Sequence, residues 1–287
     1  MKSFINKNIL GVSLIIGFIS LFLFYYPVSA AEKKLESALK EATDQADTIS
    51  DIINNQDLSA EEKEQKELSA RSEALSKILD LTVLENNDLE NNLNSFKNLN
   101  KNLRDLRDKL LNVLSENKKV YDLIQERLDK ASSSEEIRQL AVDFKNWRSL
   151  VYKPKTEKIT AFNLVVQEKN IIAMAQDRIN KINNDLDNLR EAQMVKKELL
   201  YNLLETANGK IDKASALENQ AESLMILTIK RDLFPQNLSL FERFQVKLLS
   251  KETKPIQSLI EDSHQNIKEA YKIFIDLSRA IKELINN

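Results

Sequence analysis

From residue 35 onward, the apolar positions of this chain recur every three or four residues. Leu35, Leu39, Ala42, Ala46, Ile49 and Ile53 keep the heptad spacing that holds one stripe of a helix against a partner. The stripe stops at Asn54-Asn55-Gln56-Asp57. Ser59-Ala60-Glu61-Glu62 then reads as a capping box, with Ser59 and Glu62 satisfying amides that a helix start leaves unpaired. Phe96, Leu99, Leu103, Leu106, Leu110, Val113, Asn117, Val120 and Ile124 alternate threes and fours without a slip. This predicts one helix over 60–131, about 110 Å long if unbroken. Its weakest point is Asn86-Asn87-Asp88. Asn117 is polar at a seam position, where such a residue fixes register at some cost in stability.

Ser132-Ser133-Ser134-Glu135-Glu136 combines a break with a fresh N-cap signal. The helix that follows is expected to end at Val151-Tyr152-Lys153-Pro154 in a kink or corner, because proline disfavours helix in the residue before it. A second long helix starts at Lys155, with its seam at Ile172, Ala175, Ile179, Ile182, Leu186 and Leu189. The pattern either ends or weakens at Asn208-Gly209, then resumes at Ile211, Ala214, Ala221 and Leu224. Leu233-Phe234-Pro235-Gln236-Asn237 is a firmer break, and a short apolar helix is expected over 238–249. The last helix opens at Pro255, a favourable first-turn residue. Its seam is Ile260, Ser263, Ile267, Ala270, Phe274, Leu277, Ile281 and Leu284.

One helix alone cannot bury such a stripe, so the stripes pack on each other or on another chain. Leu111, Leu114, Leu123 and Leu128 widen the stripe beyond what two strands need. The expected fold is therefore all-α, an elongated antiparallel helical bundle or coiled coil with very long helices. Homo-oligomerisation is the other outlet for the stripes. Glycine usage agrees: of three glycines in 287 residues, only Gly209 lies beyond residue 30. A β-rich chain needs many more, at turns of positive φ.

The first 30 residues differ in kind. Lys2 and Lys7 precede an uncharged run over 9–26, and Pro27-Val28-Ser29-Ala30-Ala31 forms a small-residue exit. This is the layout of a secretory signal peptide with cleavage between Ala30 and Ala31. The run is also close to the roughly 20 residues that span a bilayer, so a retained membrane anchor is the alternative. Either way, the basic start keeps the N-terminus inside and places 31–287 outside the cytoplasmic membrane as one extracytoplasmic helical domain, released or tethered.

Residue counts narrow the chemistry. With no cysteine there is no disulfide, thiolate site or lipidated cysteine. His264 is the one histidine. Glu261-x-x-His264 has the spacing of a carboxylate-bridged di-iron helix, but such a site needs two of these pairs. No Gly-x-Gly exists to cradle phosphate. The expectation is no catalytic residue, no cofactor and no metal. Beyond residue 30 the chain carries 40 Lys and Arg against 44 Asp and Glu, a balance that argues against a nucleic-acid partner.

The most distinctive stretch runs from Phe144 to Lys158. It gathers Phe144, Lys145, the single Trp147, Arg148, Tyr152, Lys153, Lys155 and Lys158 around Pro154. A second stretch, 230–254, sets Phe234, Phe241 and Phe244 among basic residues around Pro235. Two readings apply to such elbows. The aromatics fill space where helices bend, or they form a basic, aromatic head that meets a protein or an anionic envelope polymer through Trp147. The function expected is that of a non-enzymatic, exported coiled-coil spacer, scaffold or interaction module of a cell envelope. The alternative is a secreted helical toxin or membrane-inserting subunit. Its candidate tongues, 159–166 and 224–229, are short for that task.

Overall fold

The computed structural model describes residues 48–187, 194–237, 239 and 255–286. All regular structure among them is helical. The export segment, its Ala30/Ala31 cut and the apolar stretch 240–249 lie outside the described residues. Helical residues 48–54 are followed by α1 (Ala60–Ser95), α2 (Lys101–Asp129), α3 (Ser134–Trp147), a π-helical turn (Arg148–Tyr152), α4 (Lys153–Asp187), α5 (Met194–Leu233), a 3-10 turn (Pro235–Asn237) and α6 (Ile256–Asn286). The chain divides into two compact units, with the boundary between Thr156 and Glu157, within α4.

In the first unit, α1 begins at the expected capping box. Glu62 N donates to Ser59 Oγ at 3.3 Å, and Ser59 N donates to Glu62 Oε2 at 2.9 Å. The helix does not break at Asn86-Asn87-Asp88. It breaks at Phe96, whose backbone is extended, and the chain re-enters helix after Asn100, whose side chain accepts from Leu103 N at 2.9 Å. The single helix expected over 60–131 is thus two helices. Asn117 faces Asn86 while Arg107 reaches back to the Phe96 carbonyl oxygen at 3.1 Å, so α1 and α2 run in opposite directions. Phe96 and Leu99 remain buried within the turn, which is why the stripe shows no interruption there.

The seam of α2 also drifts from the expected heptad. Leu103, Leu106, Leu110, Leu114, Asn117, Tyr121, Ile124 and Leu128 are buried, with Leu114 and Tyr121 taking the places anticipated for Val113 and Val120. A straight helix turns every 3.6 residues and so drifts by about 20° per heptad against a strict 3.5-residue pattern, and along α2 the buried face moves onto Leu114 and Tyr121. Ser133 caps α3, accepting from Glu136 N at 3.3 Å. Leu75, Ile78 and Leu79 of α1, Tyr121, Ile124 and Leu128 of α2, and Ile137, Leu140 and Phe144 of α3 form one core with Tyr152. Ile49 packs separately on Ala70 and Ala74.

Pro154 does not make a corner. The chain stays helical from α3 into α4, widened into a π turn in which Lys153 N donates to Arg148 O. A proline inside a helix removes one donor and crowds the preceding turn, and here the helix is widened by the π turn directly upstream of Pro154.

The second unit is built from α4, α5 and α6. Lys158 pairs with Asp232, Lys169 with Glu222 and Asp187 with Tyr201, so α4 and α5 run in opposite directions. Arg178 meets Ser278, and Glu168 meets Ser263, which sets α6 alongside α4 in the same direction. Most of the stripes expected from sequence lie in the core: Ala175, Ile179, Ile182 and Leu186 pack against Ile211 and Ala214, joined by Leu200, Leu204 and Ala207, and against Ile267, Ala270, Phe274, Leu277 and Ile281, with Ile172 half-buried at the edge. Leu224 is half-buried and Leu189 lies outside the described residues. α5 runs through Gly209 without a break, and nothing lies within 4 Å of where a Cβ would stand there.

Candidate functional site

The Phe144–Lys158 stretch turns its aromatics inward. Phe144, Arg148 and Tyr152 are buried, and Trp147 is half-buried against the first-unit core. Trp147 stacks on Phe144 (5.8 Å) and Tyr152 (5.5 Å) and meets Tyr121 edge-on at 5.5 Å. Four rings in one cluster are a large apolar contribution from few side chains. The hydroxyls of Tyr121 and Tyr152 are buried, and burial pushes both phenols well above their ordinary range.

Arg148 is the polar centre of this cluster. Its Nη2 lies 2.7 Å from Glu85 Oε2, and its Nη1 donates to Thr82 Oγ1 at 2.8 Å. Thr82 in turn donates to Ile78 O at 2.9 Å, and the guanidinium lies 5.1 Å from the Tyr152 ring centre. The residue expected to reach outward is therefore occupied holding the π turn onto α1. Lys145, Lys153, Lys155 and Lys158 are half-buried. Lys158 belongs to the second unit, where its Nζ is 3.0 Å from Asp232 Oδ2. Burial opposes ionisation of Asp232, but hydrogen bonds from Arg231 and Lys158 outweigh it and hold the carboxyl below its usual range. The outer face of the π turn instead presents Leu150, 76% exposed, and Val151. Of the 230–254 stretch, Phe234 is half-buried, while Phe241 and Phe244 lie outside the described residues.

A second cluster, which residue inventory did not reveal, lies between the helices of the second unit. Glu168 of α4 is buried. Ser263 Oγ lies 2.7 Å from its Oε1, and His264 Nδ1 lies 3.2 Å from its Oε2. Ser263 Oγ is also 3.1 Å from Ala214 O, tying α6 to α5. Glu218 of α5 is buried one turn further along, and Lys169 lies between Glu218 and Glu222. His264 thus pairs with Glu168, whereas Glu261, the expected neighbour, is exposed and accepts from Gln257. The serine at a seam position of α6 was the one legible sign of this cluster.

Among the described residues, no group of three or more His, Asp or Glu side chains is arranged to hold a metal ion, and no helix is long and apolar enough to cross a membrane. Comparison with known proteins finds no matching family model, no similar curated protein and no similar solved structure.

Proposed function

We propose that this chain is a non-enzymatic, exported helical protein of a cell envelope, acting as a spacer or scaffold through partner binding. In this reading it is an elongated, antiparallel coiled coil of very long helices, working outside the cytoplasmic membrane and either released after Ala30 or tethered by residues 9–26. The observation that carries it is how the stripes are used. Helices of 29 to 40 residues bury their seams on one another within each unit, and each is about 45–60 Å long. Their outer faces carry same-helix ion pairs such as Glu73 with Lys77 and Glu126 with Lys130. Some buried polar groups join helices: Arg148 on Glu85, and Glu168 on Ser263 and His264.

The partner is a protein or an anionic envelope polymer, and the face it meets is the outer side of the π turn. Leu150 and Val151 supply apolar contact there, with Lys145 and Lys155 nearby along the helix. The aromatic cluster beneath keeps that face rigid.

Small-angle scattering of the protein isolated from its native host, together with its intact mass, tests the reading. A compact domain of 287 residues has a radius of gyration of about 19 Å. A value well above that, on a chain found outside the cytoplasm, supports an envelope spacer. A compact particle or a cytoplasmic location ends it.

A further inference from the structure

Glutamate is almost never fully buried unless it is paired. Glu218 is only 3% exposed, and its Oε1 has no hydrogen-bond partner. The nearest cation, Lys169 Nζ, is 4.0 Å away and makes its close contact with Glu222 instead. The charged groups acting on Glu218 are Lys169 and Glu168 from α4 and Glu222 from its own helix. α6 supplies Ser263 and His264, and both are engaged by Glu168. Lys169, itself partly exposed, is thus shared between Glu218 and Glu222, while Glu168 adds a third carboxylate close to Glu218.

Ionised, Glu218 bears the desolvation cost of a buried charge beside two like charges. Protonated, it becomes a hydrogen-bond donor, and Glu222, one turn along, is an acceptor within reach. The neutral form thus suits the closed packing and the charged form opposes it. Glu168 differs because Ser263 and His264 engage both of its oxygens.

We propose that Glu218 is a proton-operated clasp in the second unit: with its carboxyl protonated, α5 packs closed on α4 and α6, and loss of the proton loosens α5 around residues 214–222. The proton is held in the range where cells and their surroundings vary. Burial, opposed by Lys169 and reinforced by Glu222 and Glu168, pushes the Glu218 carboxyl up to about 7. Because this lies above its ordinary value of 4.5, the stabilisation is fully present below about 4.5 and is lost as pH rises through about 7.

Amide hydrogen exchange on the intact chain, corrected for intrinsic rates, tests the clasp. Between pH 6 and pH 8, protection across 207–222 should fall about tenfold in the wild type. Glu218→Gln, which keeps the neutral shape at every pH, should show no such fall. Histidine is the other side chain that changes charge near neutrality, so His264→Asn must retain the wild-type response. Protection that stays flat in the wild type, falls equally in Glu218→Gln, or stops falling in His264→Asn overturns the proposal. Infrared spectroscopy of the wild type gives a check that needs no variant. A protonated-carboxyl band present at pH 6 and gone by pH 8 supports the clasp, and its absence at pH 6 overturns it.

Discussion

Arg148 and Glu85 form an ion pair at 2.7 Å in which the two side chains are only 6% and 10% exposed. They join the π turn to the middle of α1, and Thr82 occupies a second donor of the guanidinium. A buried pair costs desolvation on both sides, so its net value is small, whereas losing one member strands the other. Arg148→Ala or Glu85→Ala should each destabilise the first unit by about 3–5 kcal/mol. Arg148→Met combined with Glu85→Leu should recover most of that loss. Urea denaturation of the three variants checks this. A double variant as unstable as either single one would show that the pair stabilises in its own right.

Asn86 and Asn117 set the register of the first hairpin. Asn117 Nδ2 donates to Asn86 Oδ1 at 3.4 Å, and Asn86 Nδ2 donates to Leu114 O at the same distance. Buried amides in a leucine seam give up stability for alignment. Replacing both asparagines with leucine should raise the unfolding midpoint, by about 1–2 kcal/mol in stability, and widen the distance distribution between spin labels placed on α1 and α2. A lower midpoint with an unchanged distribution would contradict the register role.

The start of α1 should be acid-sensitive. Ser59→Ala removes the N-cap, which costs about 1 kcal/mol at neutral pH. Hydrogen bonds from the Ser59 side chain, then from its backbone, hold the Glu62 carboxyl below its ordinary 4.5. A lowered folded pKa contributes stability above 4.5, and that stability is lost as pH falls through the folded value. The gap in melting temperature between wild type and Ser59→Ala should therefore narrow in acid. A gap that stays constant from neutral to strongly acidic pH would mean Glu62 adds nothing to the cap.

Trp147 is placed to report on the core of the first unit. Trp147→Ala removes three ring contacts and should cost about 2–4 kcal/mol, somewhat less than a fully buried aromatic. Lys145→Glu with Lys155→Glu alters the outer side of the same stretch and should leave the melting temperature within a degree or two while weakening capture of an anionic polymer. Thermal melts and pull-downs of the two variants separate the roles. Wild-type stability in Trp147→Ala would place the ring outside the core.

Helix type, the capping box at Ser59, the N-cap signal around Ser133, the helix end before Pro235 and most core leucines were legible in the sequence, because each depends on residues within a turn or two of itself. The break at Phe96–Asn100 was hidden, since both hydrophobic residues of the turn stay buried and carry the stripe through it. Pro154 misled for a related reason: its local preference is to end a helix, but aromatic and ionic contacts with α1 and α2 hold the turn helical and admit a π turn.

By itself, the sequence determined an all-helical chain and which face of each helix is apolar, since periodicity is a property of one segment. Only the tertiary structure decided which polar groups share an interior. Arg148 meets Glu85 across 63 residues of chain, and Glu168 meets Ser263 across 95. Such pairings follow from how one helix is aligned against another, and the energy that sets that alignment is summed over a whole seam, so no single spacing records it.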